Sequence, residues 1–175
     1  MVKSTDNFIA LEANPSIQYE HGSEAFAKII SLYVKSSIQT IENRQGTFQE
    51  TVTIYVPGTL DHFADHCTST LPSAGVGSDR LSMSPNILDQ QERTSGIPAH
   101  ELSHLQLTQT VGFWNYQLKI PSWFKEGLAV YDSNGAGAEQ VGKTDAIEAI
   151  MQGKAIIPNG TGSLLFRKTA SRFGL

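Results

Sequence analysis
The chain has 175 residues, 39% of them apolar, enough to close one core and too few for two comfortable domains, so a single domain over 1–175 is expected. Thirteen Lys and Arg against seventeen Asp and Glu leave a net charge of -4 with no basic block to track phosphates, so no nucleic-acid partner is expected. No apolar run approaches the roughly 20 residues that span a bilayer, and a single cysteine, Cys67, excludes an internal disulfide.

The N-terminal MVKSTDNFIALEANP has neither a basic start nor an apolar signal core. From Ser23 to Asn43 the residues Phe26, Ile29, Ile30, Tyr33, Val34, Ile38 and Ile41 recur at helical spacing, with Ser23 placed to cap the start and Gly46 to end the helix. Thr51 to Val56 is β-branched and aromatic and is stopped by Pro57 and Gly58, which predicts a strand, then a turn into a short helix over Leu60 to Cys67. LPSAGVGSDR is rich in turn formers. RLSMSP after it predicts a short strand ending at Pro85, on a sheet edge where proline is tolerated. Ile97 to Val111 reads as a helix with Pro98 in its first turn and Gly112 at its C-terminal cap. A further helix starts near Ser122 and runs through WFKEGLAVY, before the glycine-rich SNGAGAEQVG turns the chain. Thr144 to Gln152 reads as one more helix, and the tail after it shows no closing element, so a longer native protein is expected to continue past Leu175.

The chemistry sits in His100-Glu101-Leu102-Ser103-His104, an HExxH pattern. Two imidazoles four residues apart on a helix share a face and can grip one ion. Zinc accepts imidazole nitrogen and carboxylate oxygen, and a catalytic zinc takes three protein ligands and keeps a position for water. Glu126, 22 positions after His104 in the run PSWFKEGLAVY, is the candidate third ligand. HExxH alone arises by chance in roughly one in two hundred chains of this length, so the second motif carries much of the weight.

HELSH followed by PSWFKEGLAVY resembles the gluzincin branch of the zinc metallopeptidases. The resemblance covers Gly96 to Tyr131 closely and the rest only loosely. It implies His100, His104 and Glu126 as zinc ligands and Glu101 as the general base. It also implies an α+β zincin-like fold, in which a small mixed or antiparallel sheet packs on the HExxH helix and a second helix supplies the glutamate. Substrates would be peptides or proteins laid as an added strand on a sheet edge, for which Arg80 to Ser84 is the candidate. Members with this pattern are frequently exported, which makes export the expected destination, with a leader absent from this chain.

In that reading zinc acidifies its bound water to a pKa of about 7 and polarises the scissile carbonyl. Glu101 takes the water's proton and passes it to the leaving amine. Similar enzymes add a Tyr or His that stabilises the oxyanion, after the third-ligand helix. Here no histidine follows His104, and Tyr131 lies about 140° round the helix from Glu126, so it is expected to be a packing residue. Tyr116, in the intervening loop, is no stronger as a candidate.

Other readings stay open at this level. One is a zinc-binding protein that no longer cleaves. Another is nucleotide binding through Gly137 to Thr144, which fits the phosphate-loop pattern, although no strand directly precedes Gly137. Asp61-His62-Phe63-Ala64-Asp65-His66-Cys67 holds two histidines at helical spacing but no remote partner motif. It is expected to be a solvated helix face with Phe63 turned inward, and His21 a surface residue.

Overall fold
A computed structural model describes residues 5–66, 74–76, 80–89 and 95–136. The predicted helix over Thr144 to Gln152, the Gly137–Thr144 pattern, Cys67 and the C-terminal tail lie outside the described residues.

The described residues form an α+β structure. Strands β1 (Phe8–Leu11) and β2 (Asn14–Glu20) make an antiparallel hairpin. Helix α1 (Glu24–Gln45) then crosses over to β3 (Ile54–Val56), which pairs with β2 in parallel, as a crossover helix allows. After α2 (Leu60–His66), β4 (Ala74–Val76) and β5 (Leu81–Met83) pair antiparallel, and β5 pairs in parallel with β3. The strand order is β1-β2-β3-β5-β4. A 3-10 turn (Pro85–Asp89) leads towards α3 (Ile97–Val111), α4 (Phe113–Leu118) and α5 (Ser122–Asp132). Among the described residues no helix is long and apolar enough to cross a membrane.

This order corrects the expected edge. Leu81–Met83 is an inner strand with a neighbour on each side, and the outer strand is β4, drawn from the turn-former-rich segment. Leu81, Ser82, Met83 and Ser84 are all buried, as suits a strand covered on both faces. Proline is tolerated after Met83 because pairing has already ended and Pro85 opens the 3-10 turn.

Alternation along the sheet explains the core. Ile17 of β2, Ile54 and Val56 of β3, and Leu81 and Met83 of β5 join Phe26, Ile30, Val34 and Ile41 of α1 and Leu102 and Leu105 of α3 in one buried cluster. Tyr55, pointing the other way on β3, meets Phe8 edge-on at 5.1 Å and lies under the Arg80 guanidinium. The apolar stripe of α1 is wider than its buried face, since Ile29 is exposed. Ser23 does precede α1, but its side chain makes no capping bond, and Gly46 ends the helix at φ 92°.

Helix α3 is buried almost all round between α1 and the sheet, contacting β4 and β5. Even Gln106 is buried, where its amide donates to the carbonyls of Gly46 at 2.8 Å and Thr47 at 3.0 Å. These bonds tie the HExxH helix to the end of α1.

Candidate metal centre
Pro98 and Gly112 delimit α3 as its sequence predicts. Gly112 adopts φ 80°, which an L side chain rarely takes, and its N–H closes the helix on Thr108 O at 2.8 Å. Four residues of helix bring His100 and His104 onto one face, with ring centroids 4.9 Å apart. Helix α5 packs against α3 with Ala129 and Val130 buried, and this leaves Glu126 facing the two imidazoles.

The three side chains meet. His100 Nε2 and His104 Nε2 are 3.2 Å apart, and they lie 3.5 and 3.6 Å from Oε2 and Oε1 of Glu126. Ligands held tetrahedrally at about 2.0–2.1 Å from one ion stand about 3.3–3.5 Å from each other, so these separations suit a shared cation. Two nitrogens and a carboxylate are also the donor set such an ion takes. Among the described residues His100, His104 and Glu126 are the one group of three or more that can hold a metal ion. The histidines are nearly enclosed, with 13% and 9% of their side chains exposed, whereas Glu126 is 49% exposed, so the site opens on the Glu126 side.

The backs of the imidazoles are also engaged. His100 Nδ1 lies 3.0 Å from the Ala136 carbonyl, which can only accept, so Nδ1 carries the proton and Nε2 keeps its lone pair in the neutral ring. His104 Nδ1 lies 3.1 Å from the Tyr116 hydroxyl. Burial works against charge on His100, yet the Glu126 and Glu101 carboxylates and the Ala136 carbonyl outweigh it and raise its pKa. Burial likewise opposes charge on Glu126, but the two imidazoles beside it prevail and hold its carboxyl well below the usual carboxylate range. Glu101 is half-buried beside His100 on α3, near enough for its charge to act on both His100 and Tyr116.

A second set of polar side chains, which the sequence reading did not single out, holds α3, α5 and α1 together. Asp132, fully buried at the end of α5, accepts from Ser103 Oγ at 2.7 Å and from the Gln45 amide, which also donates to Ser103 Oγ. Ser103 adjoins His104, and Asp132 closes the helix that carries Glu126. Arg44 reaches the same place, donating to the carbonyls of Tyr131 at 2.7 Å and Asp132 at 2.8 Å and to Asn134 Oδ1. These carbonyls lie at the negative end of α5, where a cation is favoured. Burial pushes the Asp132 carboxyl up from its ordinary value, against the opposing pull of Ser103, Gln45, Arg44 and His100.

Other expectations shift. Tyr131, expected to pack, does so at the surface: it is 36% exposed, with the Arg44 guanidinium 5.1 Å from its ring centre. Tyr116 is not loop but part of α4, and its hydroxyl lies on the side of His104 away from Nε2. In α2, Phe63 is buried as expected, and His62 pairs at 2.8 Å with Glu20, but His66 is buried rather than solvated, edge-on to Phe8. His21 is exposed, as expected.

Comparison with protein-family models, curated proteins and solved structures returned no significant match.

Proposed function
We propose that the chain is a zinc metallopeptidase of the gluzincin type, hydrolysing peptide bonds with water activated at the His100–His104–Glu126 site. The observation that carries this reading is the convergence of the three donors at separations suited to one tetrahedral ion, beside a carboxylate, Glu101, free of the ligand set. Zinc when bound supplies Lewis acidity, which acidifies water and polarises a carbonyl.

The chain's own residues do the rest. His100 and His104 offer neutral nitrogens, and Glu126 brings a carboxylate that stays charged at any working pH, so the centre takes a divalent cation without collecting excess positive charge. Glu101, next to His100, accepts the proton of the attacking water and returns it to the departing amine. The half-exposed Glu126 side leaves room for substrate. The outer strand β4, in contact with α3, offers an extended peptide backbone an edge on which to add.

The test is metal content and cleavage of a mixed peptide library by the purified protein, with and without chelator. One zinc per chain and chelator-sensitive cleavage are expected. Glu101→Gln should keep the zinc and lose about 10²–10⁴-fold in turnover. A metal-free protein that still cleaves, or Glu101→Gln with full activity, would refute the assignment. Stoichiometric zinc without cleavage would instead favour a binding protein that retains the site.

A further inference from the structure
Helix α4 has no buried residue, and Phe113, Trp114 and Leu118 are exposed along it. Tyr116 is the half-buried exception. Gly112, with its positive φ, turns the chain sharply out of α3, and its carbonyl then accepts the Tyr116 N–H at 2.9 Å. From the next helix Lys125 sets its ammonium 4.5 Å from the centre of the Tyr116 ring and donates to the Tyr116 carbonyl at 3.4 Å. Held from both sides, the ring presents its hydroxyl to His104 Nδ1 at 3.1 Å, with the two ring planes 78° apart. A phenol holds its proton at neutral pH, so this hydroxyl is both donor and acceptor.

We propose that Tyr116 is a positioning residue for the metal centre, whose hydroxyl orients His104 and changes from donor to acceptor when the ion binds. This rests on the metal reading above. The reason lies in the two nitrogens of a neutral imidazole, only one of which carries hydrogen. In its neutral form His100 is locked, because a carbonyl behind Nδ1 can only accept, so its Nε2 is then bare. With His100 neutral and no ion, the 3.2 Å approach of the two Nε2 atoms is favourable when His104 Nε2 bears the hydrogen, which the Glu126 carboxylate 3.6 Å away also favours, and the Tyr116 O–H then donates to the bare Nδ1. With an ion, His104 Nε2 must be bare and Nδ1 must bear the hydrogen, which the Tyr116 oxygen accepts. One hydroxyl rotation serves both states, and the ring gains no net proton. A carbonyl in this place would favour only the loaded form. A hydroxyl holds the ring in register for both.

Partners behind a ligating histidine commonly contribute 10–100-fold to metal affinity. Tyr116→Phe keeps the ring and its contact with Lys125 while removing only the hydroxyl. Zinc affinity, measured by competition with a chromophoric chelator, is expected to fall by about 10–100-fold, with one site retained. The visible spectrum of the cobalt-loaded variant should shift from that of the wild type, and the metal-free melting temperature should stay within a few degrees. A role in folding alone would lower the melting temperature and leave the cobalt spectrum unmoved. An independent measurement uses the unaltered protein: long-range proton–nitrogen correlation spectra should show His104 protonated on Nε2 without metal and on Nδ1 with zinc. Unchanged zinc affinity in Tyr116→Phe, or the same His104 tautomer in both states, overturns the proposal while leaving the metal site standing. A wild type that takes up no zinc overturns both.

Discussion

Replacing Asp132 by Ala tests whether the buried polar network holds together the helices of His104 and Glu126. The substitution removes a fully buried carboxylate that accepts from Ser103 and Gln45 and whose backbone neighbours Arg44 grips. Each hydrogen bond to a charged group is worth about 1.5–3 kcal/mol, and the Ser103 hydroxyl loses its acceptor in a dry place. Against this, the carboxylate's own burial is costly, as its raised pKa shows, so a net loss of about 2–4 kcal/mol is expected. That is a large share of the roughly 5–15 kcal/mol a domain possesses. Urea unfolding of the metal-free protein is the assay: with a slope of about 2 kcal/mol per molar, the midpoint should fall by about 1–2 M. Asp132→Asn keeps the shape and one acceptor and should lose less than half as much. The sign with pH follows from the raised folded pKa. The carboxyl's stabilising contribution is full below its ordinary value of 3.8 and is lost as pH rises through the folded value, so the Asn variant's deficit should shrink as pH rises above 3.8. An Asp132→Ala midpoint indistinguishable from wild type would refute the reasoning.

Gly96→Ala is expected to weaken zinc binding, because a Cβ there would stand 2.6 Å from Ala136 Cβ and displace the segment whose carbonyl holds His100. Chelator competition checks it, and unchanged affinity would count against a role for that carbonyl. Leu105→Ala, in the sealed core beside His104, should cost about 2–5 kcal/mol in the same urea assay. The raised pKa of His100 stabilises the metal-free protein fully below the ordinary 6.5, and that contribution disappears as pH rises through the folded value. Protons therefore compete with the ion, and the rise in melting temperature on adding zinc should be larger near pH 8 than near pH 6. A larger rise at the lower pH would contradict this.

The helices of His100, His104 and Glu126 were legible because their signals are local. Pro98, the apolar spacing and Gly112 set Ile97–Val111, and the PSWFKEGLAVY run set the helix of Glu126. The first two strands were not legible. NPSIQYE contains Asn, Pro and Gln and buries only Ile17, so it is a strand by virtue of its pairing with β1 and β3 rather than its own pattern. For the same reason Ala74–Val76 reads as turn, and its addition to Leu81–Met83 moves the sheet edge outward. Helix α4 was missed because a helix that buries no residue shows no amphipathic period. The supports of the site were invisible for another reason: Gln45 and Asp132 are 87 positions apart, and only the folded chain makes them neighbours.

Arg44 and Gln45, at the last turn of α1, hold the far end of α5 through partners 87 to 90 positions along the chain. Every candidate ligand sits between residues 100 and 126, yet the scaffold that fixes their mutual distance begins before residue 46. An excised peptide spanning both motifs would possess the donors and lack the frame, so its grip on a cation should be feeble. Metal uptake would then report on completion of the α/β half of the molecule, and the ion could enter firmly only after the most distant parts of the chain have met.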